Sequence, residues 1–126
     1  MGDFLYKELS YSIIGAAIEV HNLLGPGFLE EIYQKALERE LTIRKVSFES
    51  QKHIVVEYKG VTIADYYLDL VVDGRIVVEL KAVSQLSSVH EAQVISYLKA
   101  SKFKIGLLFN FGDRSLKHKR LALEAV

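Results

Sequence analysis

Residues 61–83 read VTIADYYLDLVVDGRIVVELKAV, and how this stretch folds back on itself decides the rest. β-Branched and aromatic residues crowd both halves, which fits two strands, 61–72 and 75–82. Asp73-Gly74 lies between them as a hairpin signal. The second half, RIVVELKAV (75–83), looks built for burial yet carries Glu79 and Lys81 two places apart. Strand pleating puts those two side chains on one face. A buried charge is costly unless it is paired, hydrogen-bonded or bound to a metal. A third charge, Asp69, lies in the first half, and the turn decides whether it joins Glu79. A two-residue Asp73-Gly74 turn sets Asp69 opposite Val78 and sends Glu79 to the other face. A three-residue Val72-Asp73-Gly74 loop, with Gly74 left-handed, makes the two acids diagonal neighbours on one face. An Asp73-Gly74-Arg75 loop sets them directly opposite, and a bulge elsewhere in the hairpin serves equally. We expect one of these odd arrangements, because they bring the acids together.

Outward from the hairpin, the pattern changes period. Upstream, residues 51–58 (QKHIVVEY) form another strand, ending in a turn at Lys59-Gly60. Before it come two amphipathic helices. The first spans 4–24, with Leu9, Ile13, Ala17, Val20 and Leu24 at helical spacing, and Gly25-Pro26-Gly27 ends it. The second spans 28–44, with Leu29, Ile32, Tyr33, Ala36, Leu37 and Leu41 on its apolar side. Downstream, a helix runs from Ser88 to Ala100, with Ser87 or Ser88 as N-cap and Glu91 in the first turn of a capping box. Residues 104–111 (KIGLLFNF) form a short covered strand, and the alternating LKHKRLAL of 116–123 adds an edge strand. The order is helix, helix, three strands, helix, strand, strand. That is an α+β fold, a central mixed sheet flanked by helices, in one domain over residues 1–126.

Bulk properties narrow the function classes. The chain has 126 residues, 50% of them hydrophobic and 25% charged, which suits one globular domain. It has no cysteine, so disulfides and thiolate metal sites are excluded. No apolar run approaches the ~20 residues that cross a bilayer, and MGDFLYKELS lacks a signal pattern. We expect a cytoplasmic protein with no membrane contact. Formal net charge is zero, which argues against strong unspecific binding to nucleic acid. The charge is uneven, however. Lys99, Lys102, Lys104, Arg114, Lys117, Lys119 and Arg120 stand against Asp113 alone between positions 99 and 120. This stretch is a solubilising face or a phosphate-facing patch.

Two carboxylates on one strand face, joined by Glu30 from the second helix, make an oxygen-rich socket. Mg²⁺ or Mn²⁺ prefers such ligands and keeps several waters. A metal lowers the pKa of its bound water, and a neighbouring lysine orients or deprotonates that water or neutralises charge developing in the transition state. Those are the parts of phosphodiester hydrolysis. The plainer reading is an ion pair of Glu79 with Lys81 or of Lys81 with Asp69. The following helix, SSVHEAQVISYLKA, places Gln93 and Tyr97 four apart on one face, where they reach a metal site or a bound phosphate. Alternatively they are a surface amide and a half-buried aromatic. His90 reads as a helix-start cap or surface group rather than a ligand. His21, His53 and His118 show no ligand spacing. Tyr66 and Tyr67, on alternating faces beside the site, pack across strands or stack on a base.

Asp69, then Glu79-Leu80-Lys81, then Gln93-x-x-x-Tyr97 resembles the PD-(D/E)XK nuclease superfamily, in its RecB-like branch. Gly27-Phe28-Leu29-Glu30-Glu31-Ile32-Tyr33 matches the Gly-x-x-Glu-x-x-Tyr signature of the GxxExxY family. VELKAV, HEAQVISYLKA and GLLFNFG are similar to that family too, so the resemblance spans about residues 9 to 121. It implies an αβββαβ core with a metal site on one side. By this resemblance Asp69 and Glu79 are metal ligands, the Leu80 carbonyl is a third, and Glu30 completes the shell directly or through water. Lys81 is the catalytic lysine, Gln93 and Tyr97 position substrate or support the site, and Tyr33 packs or orients Glu30. Leu68 stands where the superfamily often has proline.

Two functions follow. One is a Mg²⁺- or Mn²⁺-dependent nuclease acting on nucleic acid, DNA before RNA. The other is a non-catalytic module that keeps the fold to bind nucleic acid or a protein partner. A homodimer or a partner protein would enlarge the grip of so small a domain on its substrate.

Overall fold

The computed structural model describes residues 5–123. Residue 4, assigned above to the first helix, lies outside them. The elements are α1 (Lys7–Leu24), α2 (Glu30–Ile43), β1 (Phe48–Tyr58), β2 (Val61–Val72), β3 (Ile76–Lys81), α3 (Ser88–Ser101), β4 (Ile105–Asn110) and β5 (Lys117–Ala122). Each matches an expected element, with ends shifted by a few residues. The strands form one sheet in the order β1-β2-β3-β4-β5. Only β3 and β4 run parallel, joined through α3, and the other neighbours are antiparallel.

The sheet is the middle of three layers. On one side α1 and α2 pack Ile13, Ala17, Tyr33, Leu37 and Leu41 against Leu70, Val72, Ile76, Val78, Leu80, Leu107 and Phe109. On the other, α3 packs Val94, Tyr97 and Leu98 against Val71, Val77 and Leu108. Each fully buried aliphatic side chain contributes roughly 1.5–3 kcal/mol, so β3 and β4, covered on both faces, anchor the fold. That is why their sequences are nearly unbroken apolar runs.

Two expectations for α2 need correction. Leu29 is 72% and Ile32 40% exposed. The helix begins at Glu30, so Leu29 is its N-cap in extended backbone. The buried stripe is the narrow i, i+4, i+8 row of Tyr33, Leu37 and Leu41, and Ile32 falls outside it. Tyr33 is fully buried and stacks on Phe111 with ring centroids 4.7 Å apart. Its hydroxyl donates to Gly25 O (2.6 Å) and accepts from Phe28 N–H (3.1 Å). Tyr33 therefore pins the Gly25-Pro26-Gly27 loop to the core and does not orient Glu30.

The strand ends are held by side chains as well as by the ladder. After β3, Asn110 Oδ1 accepts from Val83 N–H and Gly112 N–H, and its Nδ2 donates to Val83 O. A Cβ on Gly112 would come within 2.4 Å of Val83 O, so only glycine fits there. This clamp fixes the chain just beyond Lys81.

Candidate functional site

The β2–β3 turn is the three-residue Asp73-Gly74-Arg75 loop. Val72 pairs with Ile76, Val71 with Val77 and Leu70 with Val78. Arg75 N–H bonds Val72 O at 3.0 Å, while Asp73 and Gly74 both take positive φ, 54° and 63°. The next pair in this register is Asp69 with Glu79, directly opposite. The regular ladder ends at Leu70–Val78, and the two acids take over its hydrogen bonds. Asp69 N–H donates to Glu79 Oε1 (2.9 Å), and Leu80 N–H donates to Asp69 Oδ2 (2.9 Å).

A second irregularity meets the first. Gln51 of β1 lies between residues paired with Leu70 and Leu68, so it faces Asp69, and it adopts a left-handed φ of 50°. At this level the side-chain alternation of β2 changes phase. Tyr66 and Leu68 pack with the α3 cluster, whereas Leu70 and Val72 pack with the α1/α2 cluster. The pairing keeps its register across this point, so the left-handed residue turns the strand without adding a residue to it.

Around Asp69 runs an amide network. Gln34 of α2 donates to Asp69 O (3.0 Å), to Ser50 Oγ (3.1 Å) and to Glu38 Oε2 (2.9 Å), and Gln51 donates to Gln34 Oε1 (3.0 Å). The Gln51 side chain also favours the charged form of the Asp69 carboxylate. Sequence reasoning missed Gln34, Ser50 and Gln51. Gln34 had a signal, since it lies one turn after Glu30 on the same helix face. A glutamine in left-handed backbone has none.

Glu79 is only 4% exposed. Burial, then the Asp69 charge, pushes its carboxyl up to about 8. Burial also raises Asp69, against the Leu80 N–H, the Glu79 contact and the Lys81 charge. Two buried acids in contact need a proton or a cation between them. Lys81 lies on the Glu79 face and is half-buried. It forms no ion pair among the described residues, so the plain Glu79–Lys81 salt bridge is not what explains these charges.

The donor set suits a hard divalent ion. Leu80 directs its N–H to Asp69, and Lys81 O accepts from Phe111 N–H on the β4 side (2.8 Å). In a strand the N–H and C=O of one residue point to the same edge, so the Leu80 carbonyl faces the Asp69 side. Two carboxylates and a carbonyl are all-oxygen donors, and Mg²⁺ or Mn²⁺ fills its remaining positions with water. Among the described residues no group of three or more His, Asp or Glu side chains stands ready to hold a metal. Glu30 is exposed at the first position of α2 and does not form a ready three-acid group with the pair.

From the α3 side comes Tyr97, 8% exposed. Its phenol is pushed up to about 12 by burial and then by the charges of Glu79 and Asp69, and its ring lies 5.1 Å from that of Tyr66. Gln93, one turn earlier, makes no hydrogen bond among the described residues. His90 caps α3: its Nδ1 accepts from Ser87 N–H (3.0 Å), completing a capping box. The expected capping partner, Glu91, instead reaches Lys119 on β5 at 3.7 Å. Tyr67 is exposed and stacks on His53, which pairs with Asp65.

The profile of the PD-(D/E)XK nuclease superfamily matches residues 7–121. The chain belongs to that superfamily. No curated protein and no solved structure matches it. Within this PD-(D/E)XK chain the match runs from the start of α1 to the edge strand, so it covers Asp69, Glu79, Lys81 and the α3 helix together. Members of the superfamily generally use divalent metals and act on nucleic acid. No described helix is long and apolar enough to cross a membrane.

Proposed function

We propose that this chain is a Mg²⁺- or Mn²⁺-dependent nuclease hydrolysing phosphodiester bonds of nucleic acid, DNA in the first place. The observation that carries this reading is the crosswise bonding of Asp69 and Glu79 at the open end of the β2–β3 ladder. Asp69, Glu79 and the Leu80 carbonyl would hold the ion, with Glu30 acting through water. Once bound, the ion would supply a water of lowered pKa and offset phosphate charge. Lys81 is the catalytic lysine: its ammonium orients the attacking water and offsets charge on the phosphoryl oxygens. Water oxygen bonds to phosphorus and gives up a proton to solvent, the phosphorus–ester oxygen bond breaks, and the departing oxygen takes up a proton from solvent. Gln93 and Tyr97 line the α3 side and position the strand. Gln34 and Gln51 hold Asp69 in place.

Purified protein incubated with single- and double-stranded DNA and RNA plus Mn²⁺ tests this. Cleavage by the wild type that falls at least ~100-fold in Glu79→Ala and in Lys81→Ala is the expected result. Equal cleavage in both variants would mark a contaminant and refute the assignment. Nucleic-acid binding with neither cleavage nor Mn²⁺ uptake would identify the non-catalytic module instead.

A further inference from the structure

The nuclease reading makes no use of the outer edge of β1. This strand is the first in the sheet order, so one side of its backbone has no strand beside it. Among the described residues, no hydrogen bond from outside the β1–β2 ladder reaches the backbone of 52–58. Proteins blunt long open edges with proline, bulges or lysines, because such an edge pairs with any strand that fits it. The stretch KHIVVEY (52–58) has no proline, no glycine and a single lysine, at its start. The bulge of this hairpin does not interrupt it either. Val56 pairs with Ala64 and Glu57 with Thr62, so the extra residue, Ile63, belongs to β2.

The run is symmetric about Val55. It is bounded by Gln51 and Lys59, equally far from Val55 and both left-handed, with φ 50° and 48°. An antiparallel second copy with its two-fold axis at Val55 sets Val55 against itself. It sets Ile54 against Val56, His53 against Glu57, and Lys52 against Tyr58. Residues directly opposite share a face of the sheet, and these partners match. Ile54 and Val56 are both half-buried toward α3. His53, Val55 and Glu57 are all exposed on the other face, where Val55 is 40% exposed. Glu57 forms no ion pair among the described residues, so its carboxylate is available to the imidazole of the second copy. The Lys52 stem lies against the Tyr58 ring.

Charge decides for a second copy over nucleic acid. Lys52 is held by Glu49 at 3.4 Å, His53 is paired with Asp65, and Lys59 lies over the Tyr58 ring. A phosphate backbone laid here would meet Glu57 and Asp65 with no free cation to neutralise it. We propose that the protein forms a symmetric dimer through antiparallel pairing of residues 52–58 with the same residues of a second copy. The pairing joins two five-stranded sheets into one of ten strands. The axis stands perpendicular to the sheet, so α3 of both copies lies on one side of it. This surface stands independently of the nuclease reading.

Analytical ultracentrifugation of the full chain from about 1 μM to about 1 mM tests the proposal. A two-chain species that dissociates on dilution is expected. Val55→Lys sets two ammonium groups against each other at an exposed position. It should keep the native melting temperature and raise the dissociation constant at least ~10-fold. Single cysteines read the register, since the chain has none of its own. On oxidation Val55→Cys should give a disulfide-linked dimer in a denaturing gel. Tyr67→Cys, 57% exposed at the wild-type side chain but on β2, should not. A one-chain mass at every concentration, cross-linking of Tyr67→Cys in preference to Val55→Cys, or an unchanged dissociation constant in folded Val55→Lys would each overturn it.

Discussion

The two ends of the β2–β3 hairpin, Val72–Ile76 and Asp69–Glu79, are three residues apart on each strand and obey different rules. At the turn end, Val71, Val72, Ile76 and Val77 are fully buried and the backbone ladder is regular. At the open end, Asp69 and Glu79 replace that ladder with bonds from their carboxylates. The turn end contributes stability through burial. The open end costs stability, because two acids are kept out of water beside each other. Proteins retain such a cost where the strained arrangement does something else. The difference locates the candidate chemistry more sharply than any residue identity does.

The largest expected effect separates the two ends by activity. Asp69→Asn keeps an oxygen for Leu80 N–H, so the fold should survive while Mn²⁺-dependent cleavage falls roughly 10³-fold, about 4 kcal/mol of barrier. Ile76→Ala, at the turn end, should do the reverse. It should cost about 2–5 kcal/mol in urea unfolding and leave per-molecule activity of the folded fraction intact. Next comes the sign of stability at the open end. Glu79 titrates near 4.5 when unfolded and near 8 when folded, so between those values the folded chain holds more protons. Metal-free stability should therefore fall as pH rises from about 4.5 to about 8. Glu79→Gln should flatten that profile and, at pH 8 without metal, be the more stable protein. A destabilised Glu79→Gln would mean that the acids are there for the fold. The smallest effect is at Gln51. Gln51→Gly relieves the left-handed backbone, so unfolding free energy should move by less than about 1 kcal/mol. Mn²⁺ affinity measured by calorimetry should still drop, because Asp69 loses its amide support.

Much of this was legible in the sequence, for a physical reason. Apolar period separates helices from strands, and the buried β3 and β4 announce themselves as continuous apolar runs. The Asp73-Gly74 signal placed the turn, and the demand that Asp69 and Glu79 share a face ruled out a plain two-residue turn, leaving a three-residue loop or a bulge. What period cannot show is a residue in unusual backbone. Gln51 takes φ 50° without being glycine or asparagine, and the phase change it accompanies in β2 is invisible to an alternation rule. Leu29 and Ile32 were misjudged because helix period gives the face and not its width. Tyr33 was expected to pack or to orient Glu30, and it packs: buried tyrosines seek a hydrogen bond, and the Gly25 carbonyl supplies one.

The most direct test is diffraction from crystals soaked in Mn²⁺, with data collected to give the metal's anomalous signal. The account predicts a single strong peak among Asp69, Glu79 and the Leu80 carbonyl, absent from Glu79→Gln crystals grown alike. A peak elsewhere, or no peak among these oxygens in a fully soaked crystal, would contradict it.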